Sequence, residues 1–169
     1  MAHAQLATRN QATSKSSPTV LPVLIDKWRL QRIKVRRLLV QLLSDEPQRF
    51  ADSYSAINSE LEQTQAVRSL CTELIDYVST GHFEIYGRVL PRKLRPDPEL
   101  HTLLQHLFHS IGSSTDAVLG FNDRYEQAPT GALTKAFRQL LVRLSRRLLL
   151  RFALEEQLLE LCSHPRRGT

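Results

Sequence analysis

Between residues 67 and 89 the apolar side chains Val67, Leu70, Cys71, Leu74, Ile75, Val78, Ile85 and Val89 recur at intervals of three and four. That spacing lines one face of a 3.6-residue turn, so the stretch from about Cys71 to Leu90 reads as one helix. Its other side carries Asp76, Ser79, Thr80, Phe83 and Gly87. Phe83 beside Asp76 on an outward face is apolar area that folding alone does not need. A single exposed aromatic is ordinary on a protein surface. Aromatics are also enriched at the centres of protein interfaces, which makes Phe83 a candidate anchor.

The same periodicity extends along the chain. A first helix is expected from about Leu21 to Leu43, with Pro22 in its first turn. Its buried stripe is Leu21, Leu24, Ile25, Trp28, Val35, Leu39 and Leu42, and its outer surface carries Lys27, Arg29, Lys34, Arg36 and Arg37. The SDEP run at 44–47 ends it, since a residue preceding proline avoids helix. A second helix starts somewhere in 48–62 and continues to about Leu90, where Pro91 stops it. The proline-rich PRKLRPDP (91–98) is a loop. A third helix begins near Pro98 or Glu99 and carries Leu100, Leu103, Leu104, Leu107, Phe108 and Ile111. Gly112 and its serines are a candidate kink before Val118 and Phe121 resume the pattern to about Tyr125. QAPTGA (127–132) is a turn, with Thr130 the expected N-cap of a fourth helix from about Leu133 to Cys162. Phe137, Leu141, Leu144, Leu148, Phe152, Leu159 and Cys162 form its stripe.

No segment alternates with period two. The expected fold is all-α: four long helices joined by short links, hence an up-down-up-down four-helix bundle over 20–163. Residues 1–19 lack apolar periodicity and contain no acid, which predicts a disordered tail. Residues 164–169 are expected to fray.

A chain of 169 residues fits one domain. No run of about 18 apolar residues marks a membrane span. The cysteines, Cys71 and Cys162, fall on apolar stripes and form no CxxC pair, which argues against thiol chemistry and for a reduced, cytoplasmic setting. The net charge of +6 favours acidic partners, nucleic acid among them.

Two constellations bear on function. Arg32, His82, Arg151 and Glu155 all fall within apolar stripes, on three helices. Buried charges are costly unless paired, so these groups are expected to meet, with Tyr86 completing a polar network that fixes helix register. A small-molecule or metal pocket is the competing reading. No Glu-x-x-His occurs, and His101, His106 and His109 have no carboxylates on their face, so no metal is expected. Arginines near Glu155 point to an ion pair, which suits an acid catalyst poorly. The chain is therefore not expected to be an enzyme or to need a cofactor. The second constellation is cationic. Six basic residues and no acid lie between Lys27 and Arg37, and six more between Lys135 and Arg151. If helices one and four are neighbours, their outer faces merge into a surface for an acidic protein or nucleic acid. Stacking aromatics are absent from both runs.

Three blocks resemble the Rsd/AlgQ family, bacterial regulators of the primary sigma factor. They are LIDKWRLQR (24–32), LCTELIDYVSTGHFEIYGRVL (70–90) and RFALEEQLLEL (151–161), with FNDRY (121–125) similar to the AlgQ branch. The resemblance implies a cytoplasmic helical bundle with anti-sigma activity. Such a protein binds region 4 of the housekeeping, sigma-70 type factor and blocks its −35 promoter and core RNA polymerase contacts. In the AlgQ branch this is linked to alginate regulation. The partner-binding residues it implies are Asp76 and Phe83, with Ser79 and Thr80 beside them. Arg32, His82, Arg151 and Glu155 also match the family pattern. This chain departs from it in being basic and in having Gly87 where an acidic residue usually follows the signature tyrosine.

Overall fold

A computed structural model of the chain describes residues 20–44, 53–90, 98–130 and 134–163. The expected tail over 1–19, the frayed end over 164–169 and most of the two proline-containing links lie outside these residues. Helix α1 spans Val20–Ser44 and α2 spans Ser53–Thr80. One π-helical turn, Gly81–Ile85, then leads into the short α3, Tyr86–Val89, without leaving the helix axis. Helices α4 (Pro98–Tyr125) and α5 (Lys135–Ser163) complete the fold, and no strand occurs among the described residues.

Each long helix packs on two others: α1 on α2 and α5, and α4 on α2 and α5. Neighbours run oppositely. Trp28 meets Tyr77 and Lys34 meets Glu73 across α1 and α2, and Arg29 meets Glu156 while Arg36 covers Phe152 across α1 and α5. This is the expected up-down-up-down bundle, with the apolar stripes inward. Val35, Leu70, Leu74, Leu107, Val118, Leu141 and Leu148 have no exposed surface. Leu21, Leu24, Ile25 and Ile75 are only partly buried at the margins.

Several local expectations need correction. The N-cap of α5 is Thr134, not Thr130: the Phe137 amide donates to Thr134 Oγ1 at 3.5 Å, as an N3 amide does to a capping hydroxyl. Helix α4 continues through Gly112 to Tyr125, as the resumed pattern implies, and Ser114 there donates to Ser110 O at 2.6 Å, a back-bond of the kind that bends a helix without ending it. Phe108 projects to solvent rather than into the stripe. Cys162 is exposed, near the helix end, while Cys71 is buried. Burial, and secondarily the charge of Glu126, pushes the Cys71 thiol up to about 11, so it behaves as a small hydrophobe.

The π turn sets the phase of everything after it. In an unbroken α-helix Tyr86, twelve residues beyond Leu74, would lie about 120° round the axis from it. One extra residue in the turn removes about 100° of that difference and brings Tyr86 inward. Gly81 opens the turn because Trp28 lies directly over it: a Cβ at Gly81 would sit 3.1 Å from Trp28 Cζ2. The indole cannot retreat easily, since it is stacked on Tyr77 at 5.6 Å and donates from Nε1 to Tyr77 O at 3.1 Å. Gly81→Ala is therefore expected to destabilise the protein by about 1 kcal/mol, overpacking outweighing the gain in helix propensity. Thermal denaturation checks this, and a raised midpoint would show that Trp28 yields.

Candidate functional site

The charged groups inside the bundle converge on one carboxylate. Glu155 and Arg151, one turn apart on α5, are both fully buried. Arg151 Nε donates to Glu155 Oε1 at 2.8 Å. Its other nitrogens donate to Tyr86 Oη at 2.9 Å and to the hydroxyls of Ser114 and Thr115 at 3.2 Å. Tyr77 and Tyr86 each donate a hydrogen bond to Glu155, one to each oxygen. From α1, Arg32 reaches Glu155 at 3.3 Å and Glu156 at 2.9 Å, and Arg29 pairs with Glu156. The Arg32 guanidinium also lies over the rings of Trp28 and Phe152. Every long helix thus contributes at least one partner.

Of the predicted network, Arg32, Tyr86, Arg151 and Glu155 are brought together. His82 is not: it is exposed and its ring stacks edge-on against Phe83 at 5.1 Å. Eight residues after Leu74, it stands about 80° round the helix, at the margin of the stripe, where an imidazole keeps its water. The carboxylate contact expected of it is made by Tyr77. The signal for Tyr77 was present, since it follows Leu70 by seven residues and Leu74 by three. Ser114 and Thr115 were also missed; small hydroxyl side chains on an apolar helix face were the available clue.

The tyrosines, Arg151 and Glu155 of the network are shut away from solvent. Both tyrosine hydroxyls are held well above their ordinary value of 10.0, chiefly by burial and then by the negative charge of Glu155, with Arg151 opposing. Glu156, nearer the surface, feels burial pushing its carboxyl up, but hydrogen bonds and charge from Arg29 and Arg32 outweigh it and hold the group below its usual range. Among the described residues no group of three or more His, Cys, Asp or Glu side chains is placed to hold a metal.

The outward residues form a different kind of site. Asp76, Ser79, Thr80 and Phe83 line an open groove of about 550 Å³ between α1 and α2. Lys27, Leu30, Gln31 and Lys34 make its α1 wall, and Glu73 and Glu84 extend the α2 wall. Phe83 is 80% exposed at its edge and Asp76 is exposed. Thr80 departs from the expectation of an outward side chain: it is buried at the groove floor, because it sits at the α1-facing flank of α2. Lys34 and Glu73 pair across the groove at 3.1 Å, so the walls carry opposite charges. The arrangement suits a helix laid along the groove. No helix among the described residues is long and apolar enough to cross a membrane.

Two measurements test the network. Replacing Glu155 by Ala leaves Arg32 and Arg151 without their shared carboxylate, and is expected to cost about 3–5 kcal/mol of stability in denaturant unfolding. The tyrosines predict a pH response. Because their folded values are raised, their contribution is complete below pH 10.0 and declines above it, with a slope approaching about 2.7 kcal/mol per pH unit for the pair. Tyrosinate absorbance from Tyr77 and Tyr86 is expected to appear together with loss of helical circular dichroism, not ahead of it.

The family described as regulator of RNA polymerase sigma(70) subunit, Rsd/AlgQ, matches residues 7–163. A "Regulator of sigma D" from Yersinia enterocolitica is 27% identical over 139 residues, which cover 81% of this chain and 78% of that protein. One of the same name from Pectobacterium carotovorum is 28% identical, covering 82% of this chain and 86% of that protein. The match spans all four long helices, and so the chain belongs to the Rsd/AlgQ family of sigma(70) regulators.

Proposed function

We propose that this protein is an anti-sigma factor that binds region 4 of the housekeeping sigma factor through the α1–α2 groove. Occupancy of region 4 there would keep it from the −35 promoter element and from core RNA polymerase. Regulation is by competition, with no bond made or broken. The observation that carries the reading is Phe83: 80% exposed at the lip of an open groove that the exposed Asp76 also lines. An aromatic held this far out of a well-filled core has no folding role, and a partner that covers it gains its full apolar area. Family membership supports the choice of partner.

The lining of the groove favours one orientation of a docked helix. Leu30 and Phe83 offer apolar contact on opposite walls, while Glu73, Asp76 and Glu84 favour basic side chains along α2 and Lys27 and Lys34 favour acidic ones along α1. A DNA-reading domain is rich in basic residues, so its recognition surface would face α2. The chain's overall positive charge opposes long-range attraction to such a partner and is expected to slow association more than it weakens the docked complex.

Purified region 4 is expected to bind the intact chain. Phe83→Ala should weaken that binding roughly thirtyfold, as loss of a hot-spot aromatic does, while changing stability by less than about 0.5 kcal/mol. Asp76→Arg should weaken it too. Titration calorimetry beside a thermal melt checks both, and wild-type protein that fails to bind region 4 at low salt removes the proposal.

A further inference from the structure

The groove leaves the opposite flank of α1 unexplained. There α1 meets α5, and the seam between them has a pattern that neither the core nor the groove uses. Three contacts fix the register. Arg29 pairs with Glu156, Arg36 lies over Phe152 at 5.8 Å, and Arg138 donates to Leu43 O at 2.7 Å. Antiparallel helices in this register set Ile33 of α1 opposite Leu149 of α5, and Val40 opposite Val142. Ile33 is 52% exposed, Val40 63% and Leu149 46%. Each pair on one helix is separated by two turns, about 10.5 Å. The outer seam therefore carries two apolar rungs at heptad spacing.

Between the rungs stand cations. Arg36 and Arg37 on α1 and Arg146 on α5 fall at the intermediate level, with Arg143 beyond them, and all four are exposed. None has a carboxylate partner among the described residues. No acid occurs from Leu30 to Ser44 or from Lys135 to Ala153, so neither helix supplies a carboxylate along this stretch. Aligned like charges on packed helices are unfavourable in the free protein. The guanidinium of Arg36 already lies over the Phe152 ring, so its charge is partly preorganised rather than freely mobile.

We infer that the α1–α5 seam is a second docking face, built for an acidic amphipathic helix of another protein. Apolar side chains two turns apart on such a helix would seat on the Ile33–Leu149 and Val40–Val142 rungs. Its carboxylates would meet Arg36, Arg37 and Arg146 between them. The apolar rungs distinguish this occupant from nucleic acid, whose phosphates make no use of them, and no aromatic for base stacking projects from this seam. A second copy of the same seam is excluded by like charge. The argument uses no residue of the α1–α2 groove and stands apart from the sigma-factor reading.

The test uses the intact chain and a synthetic helical peptide with leucines at heptad spacing and glutamates between, followed by fluorescence anisotropy near physiological salt. The controls are a shuffled peptide of the same composition, duplex DNA and phosphatidylglycerol vesicles. The ordered peptide is expected to bind at least roughly tenfold more tightly than the shuffled one. Val40→Asp and Arg146→Glu, both on exposed positions, should each weaken it by roughly tenfold with helical circular dichroism and region 4 binding unchanged. Equal binding of ordered and shuffled peptides overturns the inference. So does preference for DNA or vesicles with no response to Val40→Asp, since that describes a general polyanion surface. Failure of wild-type protein to bind region 4 would overturn the groove reading and leave this one intact.

Discussion

A single carboxylate, that of Glu155, holds the bundle in one arrangement. It accepts from both Tyr77 and Tyr86 and pairs with Arg151 and Arg32, so helices that are far apart in sequence share it. An apolar core alone would tolerate a helix sliding by a turn, because one leucine packs much like another. A buried ion cannot slide, since a shift would strand two guanidinium groups away from water. Such a device gives uniqueness of packing more than stability, and here it also fixes the relative height of α1 and α2, the two walls of the groove.

Much of this was legible in the residues. The four long helices, their neighbours and most core positions followed from apolar periodicity, because a stripe at 3.6-residue spacing has only one way to be buried. The pairing of Arg32, Arg151 and Glu155 followed from the cost of leaving any one of them alone. What periodicity misplaced are side chains at the edge of a stripe or near a helix end: spacing ranks positions round the axis but does not say where the buried arc stops. His82, assigned inward, is exposed. Tyr77 falls inside the arc by its spacing from Leu70 and Leu74, and its ring and hydroxyl are wholly buried. Thr134 in place of Thr130 at the α5 cap reflects a smaller limit: two threonines four residues apart both precede the helix, and only backbone geometry chooses between them.

The outward residues were legible as a set but not as a surface. Asp76, Ser79 and Phe83 share a helix flank by spacing alone. That Lys27, Leu30 and Lys34 stand across from them depends on how α1 is rotated, which the buried network decides. The flank of α1 away from the groove is governed by the same rotation. One helix thereby presents two unlike faces, one of mixed charge toward α2 and one cationic toward α5, and each is positioned by the same interior contacts.

The turn at Gly81 has a further consequence. Trp28 is the chain's only tryptophan, and its indole rests on the backbone that carries Phe83 two residues later. Any ligand that tugs on the groove's lip must disturb the ring beneath it, so the molecule contains an intrinsic optical reporter of its own occupancy, already wired to the segment that would move.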